Sequence, residues 1–266
     1  MYTEIFMRLL PCLFLLFSCA EPELAINDGA KLAVGAKNQI TLSYRKPNNP
    51  DSESQLILSD ENLIGSPGMY GRVYNVRGHA IKVLRASDLD GDEIRVLQKV
   101  GELGLGPKLF GTWITSKGKD LFVLIDMELI KGTALSVHTS GFSGAWHDDL
   151  EAIARLRKNQ SAAKTYFFDW VISILLDLVR NKIAYRDAHF GNIINPPSPD
   201  RDFKLIDFGE SHIYATEKEA ACTVLKTTRV QNARTIAEFE ETTPAHYQGQ
   251  KGKDALLSIK ALCGDG

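Results

Sequence analysis

The stretch from Tyr185 to Gly209 constrains the fold of this chain more than any other part of the sequence. It contains Asp187 and, five residues later, Asn192, with a glycine directly before the asparagine. A short Pro-rich bridge follows, and a second apolar run then ends at Asp207 in the sequence Asp-Phe-Gly. An apolar run of this kind is typical of a buried strand. The spacing therefore predicts a tight loop and a short hairpin that bring three oxygen-bearing side chains together.

These three side chains suit the chemistry of phosphoryl transfer. Asp187 would face an acceptor hydroxyl, while the amide oxygen of Asn192 and the carboxylate of Asp207 would hold Mg²⁺ against phosphate groups. The alternative interpretation is an ordinary turn between two strands, with acidic residues at its surface.

Upstream, the segment from Leu56 to Leu84 predicts three strands with a Gly-rich connection. Glycines in such a connection let backbone N–H groups approach phosphate oxygens closely. The pattern is close to Gly-x-Gly-x-x-Gly-x-Val, although its first glycine stands one residue early, and a plain Gly-rich hairpin is the alternative. The residues that fit this loop are Gly65, Gly68, Gly71 and Val73.

Lys82 is the one charged residue inside an apolar strand, on the same predicted face as Ala80. A buried ammonium group needs an anion, and both nucleotide phosphates and a carboxylate would supply one. Glu93 lies eleven residues later on a predicted amphipathic helix and is the expected partner, with Asp92 as the second choice. An edge-strand lysine that reaches solvent is the alternative.

In this order along the chain, the residues resemble the protein-kinase-like superfamily over roughly Leu56 to Gly209. The immediate transition from Asp-Phe-Gly to a predicted helix resembles the compact members, namely the RIO-type atypical kinases and small bacterial effector kinases without a regular activation segment. The resemblance implies an α+β, two-lobed fold. Its N-lobe would be a five-stranded antiparallel sheet with one helix, and its C-lobe would be truncated and mainly helical.

The resemblance also implies roles for individual residues. Lys82, held by Glu93, would align the phosphates of ATP, Asn192 and Asp207 would bind Mg²⁺, and Asp187 would take the proton of a protein Ser or Thr hydroxyl. His189 stands where Ser/Thr kinases place a lysine near the transferred phosphate, and it would neutralise charge there if protonated.

The apolar run from Leu121 to Met127 is predicted to be the last strand of the N-lobe. By resemblance, the residues after it form the hinge between the lobes. The backbone of Glu128 and Ile130 would pair with the adenine edge, and Met127 would stand at the back of the purine pocket.

Two other functional hypotheses stay open. The pattern Asp-x-His-x-Gly-Asn is similar to that of aminoglycoside and choline kinases, which would make the acceptor a small molecule. A pseudokinase that binds nucleotide without turnover is the other.

Tyr185 also departs from the family, since a histidine usually precedes Arg-Asp. The short second lobe suggests that an activating protein partner completes the acceptor platform.

The N-terminal segment is apolar from Ile5 to Phe17 apart from Arg8. It is too short to span a bilayer, which takes about 20 residues, and it suits the core of a signal peptide. The sequence before Cys19 resembles a bacterial lipoprotein box, so lipidation of Cys19 and membrane attachment are one interpretation, and simple cleavage near Ala20 is another. We expect an exported protein, with the cytosol of the producer or of a host cell as the alternative.

The sequence predicts three segments: a leader at 1–20, a mostly disordered linker at 21–54 with one strand at Gln39 to Tyr44, and a kinase-like domain at 55–266. Within that domain we expect an N-lobe at 55–127, a hinge at 128–133 and a C-lobe at 134–266. The net charge of −2 gives no basic surface for nucleic acid. Outside the leader, export would permit a disulfide between Cys222 and Cys263, but two cysteines give no framework, and we expect free buried thiols.

Overall fold

The computed structural model describes residues 26–27, 31–34, 40–46, 49–64, 71–117, 119–138, 146–156, 166–198 and 202–264. These residues form an α+β fold whose sheets are largely antiparallel, as the sequence predicts at this level. None of the helices in these ranges is both long enough and apolar enough to cross a bilayer.

The described residues contain thirteen strands and six α-helices. The strands are β1 (Ile26–Asn27), β2 (Lys31–Val34), β3 (Ile40–Lys46), β4 (Asn49–Leu58), β5 (Arg72–Val76), β6 (His79–Arg85), β7 (Leu109–Lys117), β8 (Asp120–Glu128), β9 (Thr133–Ala134), β10 (Ile183–Tyr185), β11 (Ile193–Asn195), β12 (Lys204–Leu205) and β13 (Ser211–Ile213). The helices are α1 (Glu93–Glu102), α2 (Trp146–Leu156), α3 (Tyr166–Arg180), α4 (Glu217–Thr227), α5 (Ile236–Thr242) and α6 (Gln250–Cys263).

The chain divides into two compact units. The first contains the described residues up to Ile94 together with Leu109–Leu129, and the second contains Arg95–Lys108 and the described residues from Ile130 onward. The last passage from one unit to the other therefore falls between Leu129 and Ile130, inside the segment 128–133 that the sequence singles out.

The main sheet of the first unit has the strand order β1-β7-β8-β6-β5. Its four longer strands are antiparallel, as expected, but β1 pairs with β7 in parallel. The prediction of five antiparallel strands was therefore wrong for one strand. The reason lies in β4, which pairs with β3 and belongs to another sheet. The buried residues that form one apolar cluster of this unit are Leu58, Tyr74, Ile81, Val83, Trp113 and Leu124.

A separate antiparallel sheet, in the order β2-β3-β4, occupies much of the segment predicted to be a disordered linker. The strand expected at Gln39 to Tyr44 is present as β3, but β2 and most of β4 also lie within 21–54. The linker prediction was wrong for these strands. Their polar composition suggested disorder, whereas the ladder between β3 and β4 joins most residues of both strands through the backbone.

In the second unit, α3 is the central buried helix. Its apolar residues recur at helical spacing, and a helix surrounded on most sides must bury a wide apolar face. The six residues that the sequence assigns to this face are all buried, namely Phe168, Val171, Ile172, Leu175, Leu178 and Val179. Helix α6 packs against α3 and α4. The predicted cap at Ser161 lies outside the described residues.

One long helix was expected from Thr216 to Glu240, and the structure has two shorter ones instead. Thr216 caps α4 through a reciprocal hydrogen-bond pair with Glu219, as in a capping box. The helix ends at Thr227, and the chain is non-helical until Thr235 caps α5. Consecutive β-branched residues such as Thr227 and Thr228 weaken a helix. The break places the segment from Thr228 onward beside the candidate site.

A disulfide joins Cys222 on α4 to Cys263 at the end of α6. The expectation of two free thiols was therefore wrong. The sequence separation of 41 residues is too long for spacing alone to indicate the pairing, whereas the packing of α4 on α6 brings the two Cα atoms to 4.8 Å.

We expect the double variant Cys222→Ala/Cys263→Ala to be less stable than the oxidised protein. Closing a loop of this length restricts the unfolded chain, and the chain-entropy relation gives about 4 kcal/mol as an upper figure. Urea denaturation measures the difference. The reduced wild-type protein is the control and should match the double variant. Rapid reaction of both cysteines with a thiol reagent in the native, unreduced protein would contradict the disulfide.

Candidate functional site

In the first unit, Lys82 and Glu93 form a buried ion pair. The Nζ of Lys82 lies 2.5 Å from Oε1 of Glu93, and their side chains are only 9% and 3% exposed. Lys82 is on β6, which has a strand on each side, and Glu93 is the first residue of α1. A carboxylate in the first turn of a helix is also stabilised by the helix dipole. The predicted pair is confirmed as a structural feature.

The neighbours predicted for a nucleotide lie on adjacent strands of the same sheet. Val73 on β5 is opposite Lys82, and Met127 on β8 is opposite Ala80. Directly opposite residues in a ladder point to the same face, as do residues two apart on a strand. The four residues therefore share one face of the sheet.

The remaining residues of the predicted nucleotide site are less informative. Glu128 is opposite His79 at the end of the β6–β8 ladder, and Ile130 belongs to the second unit. A Cβ at Gly71 would lie 2.7 Å from the carbonyl oxygen of Val83, so the fit of this strand already explains that glycine. Gly65 and Gly68 lie outside the described residues, as does Cys19.

In the second unit, a short hairpin brings Asn192 and Asp207 together. Strands β11 and β12 pair with Ile193 opposite Leu205. The ladder continues for one more hydrogen bond, because the N–H of Ile206 donates to the carbonyl of Asn192 at 2.9 Å. Asp207 is the next residue, and it has a left-handed backbone with φ of +54°. Aspartate tolerates this conformation better than most residues.

Asp187 is surrounded by hydrogen-bond donors on both carboxylate oxygens. Nδ2 of Asn192 donates to its backbone carbonyl at 3.1 Å and to Oδ2 at 3.2 Å. Nε2 of His189 lies 3.4 Å from Oδ2. Arg229 donates to Oδ1 from Nε at 3.0 Å and from Nη2 at 2.5 Å. Burial alone would raise the pKa of Asp187, but the hydrogen bonds from His189 and Arg229 outweigh it and lower the pKa below its ordinary value.

His189 lies between the loop backbone and the carboxylate of Asp187. The N–H of Gly191 donates to its Nδ1 at 2.9 Å, and its Nε2 faces Oδ2 of Asp187 at 3.4 Å. The role expected for a protonated His189 near the transferred phosphate stays a prediction.

Tyr185, the residue that departs from the family pattern, has a structural role. Its side chain is buried, and its hydroxyl donates to the carbonyl of Ile206 at 2.9 Å. Its ring packs edge-on against Phe208 with the centroids 5.1 Å apart. Burial raises the pKa of the Tyr185 hydroxyl well above its ordinary value, and the nearby carboxylates of Asp207 and Asp187 add to this effect. Tyr185 thus braces the residue next to Asp207.

Phe208 is fully buried, and its ring lies so close to the backbone of Gly106 that a larger residue would clash there. A Cβ on Gly106 would lie 2.8 Å from the Phe208 ring and 2.8 Å from the side chain of Val100. The middle residue of Asp-Phe-Gly therefore anchors this turn in the core of the second unit.

Sequence reasoning missed the segment after α4 that closes the site. The backbone of Arg229 forms a parallel bridge across Asp187, with Arg229 N–H donating to the carbonyl of Arg186 and Ala188 N–H donating to that of Arg229, each at 2.8 Å. The hydroxyl of Thr228 donates to the carbonyl of Tyr185 at 2.7 Å. The polar break between two helical stretches was the available signal, but no motif marks it.

The donor set fits a magnesium site completed by a phosphorylated ligand. Because the Asn192 amide nitrogen is turned toward Asp187, its oxygen Oδ1 is the side-chain atom that could bind a metal, and the Tyr185 hydroxyl is a further hydrogen-bonding neighbour of this amide. Within the described residues, no group of three or more His, Cys, Asp or Glu side chains is arranged to hold a metal. Mg²⁺ commonly takes one or two carboxylates and fills its other positions with phosphate and water, so the side-chain oxygens of Asn192 and Asp207 are of the kind that it binds.

Comparison with known proteins adds no family to this description. No protein-family model matches the chain, and no curated protein matches it either.

We expect Lys82→Met to lower the free energy of unfolding by about 3–5 kcal/mol, because it removes the cation that faces the buried Glu93 carboxylate. The double variant Lys82→Met/Glu93→Leu should recover most of the loss, since both charges are then gone. Chemical denaturation of the two variants measures this. Equal instability of the single and double variants would show that the ion pair does not explain the burial of Glu93.

Proposed function

We propose that this protein is an ATP- and Mg²⁺-dependent phosphotransferase whose acceptor is a hydroxyl group, most simply a Ser or Thr of a protein. The observation that carries the proposal is the arrangement around Asn192. Its amide nitrogen donates to Asp187, and its backbone carbonyl accepts from the N–H of the residue before Asp207. Its amide oxygen would bind the metal. One residue thus links an acceptor-side carboxylate to a metal-side carboxylate.

The proposal gives each residue the role that the resemblance to protein kinases implies. In the first unit, Lys82 would bind phosphate oxygens of the nucleotide and Glu93 would keep its ammonium group in place. In the second unit, Asn192 and Asp207 would hold Mg²⁺, which supplies positive charge to the phosphate oxygens when bound.

Asp187 is suited to orient the acceptor hydroxyl and take its proton. In the reaction, the acceptor oxygen forms a bond to the γ-phosphorus, the bond from that phosphorus to the ADP oxygen breaks, and the hydroxyl proton passes to Asp187. A carboxylate accepts about four hydrogen bonds, and Asp187 has three short ones to Arg229 and Asn192. The contact from Nε2 of His189, at 3.4 Å, is the longest of the four, so we infer that an acceptor hydroxyl would displace it.

We expect Asp187→Asn and Asp207→Ala to fail in different ways. Asp187→Asn should lose turnover by about 10²–10⁴-fold, because the proton acceptor is gone, and should still bind ATP with Mg²⁺. Asp207→Ala should lose both turnover and metal-dependent ATP binding. Transfer of label from γ-labelled ATP and the thermal shift with ATP and Mg²⁺ measure the two properties. Wild-type turnover in Asp187→Asn would refute the assignment of the base.

The same assay separates the acceptor classes when the protein is incubated with a mixture of proteins and metabolites. Label in protein supports the proposal, and label confined to small molecules would favour a small-molecule kinase on the same site. A thermal shift without any transfer would favour a nucleotide-binding pseudokinase.

The disulfide supports export as the location. Disulfides persist in oxidising compartments and are rare in the cytosol, and Cys222 and Cys263 are joined here. We expect the protein from its native source to lack the leader up to about Cys19 or Ala20 and to carry this disulfide. Intact mass with and without reduction measures both properties. A full-length chain in which Cys222 and Cys263 are both free thiols would contradict export.

A further inference from the structure

Arg229 is fixed beside Asp187 by its backbone and not only by its side chain. Its N–H and C=O both bond to the residues that flank Asp187, each at 2.8 Å, and the neighbouring Thr228 hydroxyl bonds to a buried carbonyl of the same loop. The N–H of Phe190 also donates to the side-chain oxygen Oε1 of Gln231 at 3.0 Å. The segment 228–231 is therefore hydrogen-bonded to the loop that carries Asp187, the proposed base.

The guanidinium of Arg229 uses only one edge to hold Asp187. Nε and Nη2 both donate to Oδ1 of that carboxylate, while the side chain is 47% exposed. Within the described residues, no acceptor contacts Nη1. Of the five N–H donors of an arginine, those on the outer edge are thus directed away from Asp187 and are open to a bound group.

Arg229 places a permanent positive charge directly against Asp187. The sequence pattern pointed to His189 for this purpose, whereas the charge of an arginine does not depend on pH. Phosphoryl transfer needs positive charge close to the transferring group, since negative charge is spread over its oxygens in the transition state. Arginine is also the residue whose planar fork matches phosphate oxygens.

We propose that Arg229 is a catalytic residue that contacts the transferring phosphoryl group with its outer edge while its inner edge holds Asp187. The inference rests on the proposed phosphotransferase function and goes beyond it, because it assigns the cation of the transfer step to a segment outside the kinase-like sequence pattern. The same contact would restrict the acceptor. Its hydroxyl must reach Asp187 while the acceptor leaves the outer edge of the Arg229 guanidinium uncovered.

Three substitutions separate charge from hydrogen bonding. Arg229→Ala removes both, Arg229→Gln keeps a donor for Asp187 without charge, and Arg229→Lys keeps the charge with poorer geometry. We expect kcat to fall about 10²–10³-fold in the Ala and Gln variants and less in the Lys variant, with the KM for ATP nearly unchanged. Arg234, an exposed arginine five residues later, provides the matched control, and Arg234→Gln should behave as wild type.

A binding measurement gives a second readout that does not depend on turnover. Aluminium fluoride with ADP and Mg²⁺ mimics the transferring group, so it should raise the melting temperature of the wild type beyond ADP and Mg²⁺ alone. This increment should disappear in Arg229→Ala and Arg229→Gln and be partly kept in Arg229→Lys. Circular dichroism checks that each variant is folded, which we expect because the backbone bonds of the segment are unchanged.

The outcomes distinguish this inference from the proposed function. If the wild type transfers phosphate and Arg229→Gln matches it, Arg229 only positions Asp187 and the inference is overturned, while the proposed function stands. If Arg229→Ala keeps full kcat and the full fluoride increment, the inference is also overturned. A wild type that neither transfers phosphate nor binds ATP with Mg²⁺ would overturn the proposed function and the inference together.

Discussion

The pairing of β11 with β12 is the constraint on which the candidate site depends. Two residue pairs and one further backbone hydrogen bond hold this hairpin. The hairpin fixes the positions of the polar residues, because Asn192 lies just before one strand and Asp207 lies two residues after the other. A ladder this short is stable only if its flanks are anchored. The anchors are apolar: Phe208 and Tyr185 are buried in the second unit, and their rings pack together.

Much of this arrangement was predictable because it is local. A short apolar run between turn residues predicts a strand, and a lone lysine in an apolar strand predicts a nearby carboxylate. The structure has both features, in β12 and in the pair of Lys82 with Glu93. These predictions needed only the pattern of apolar residues along a strand and the free-energy cost of burying a charge.

The failed predictions concern contacts between distant parts of the chain. The disulfide depends on how α4 packs on α6, and the sheet of β2, β3 and β4 depends on backbone pairing between polar segments, which carry a weak pattern. Arg229 is the clearest case. Its position follows from the break after α4. A helix propensity summed over 216–240 averages over a break of a few residues and does not detect it.

The bond between Cys222 and Cys263 also encloses a covalent ring that contains the whole segment 228–231 and both terminal helices. A protease that cuts the backbone inside this ring would leave the two fragments joined. The carboxy-terminal part of the second unit is therefore protected against loss by nicking for as long as its surroundings are oxidising. On electrophoresis, such a nick would become visible only after a reductant is added.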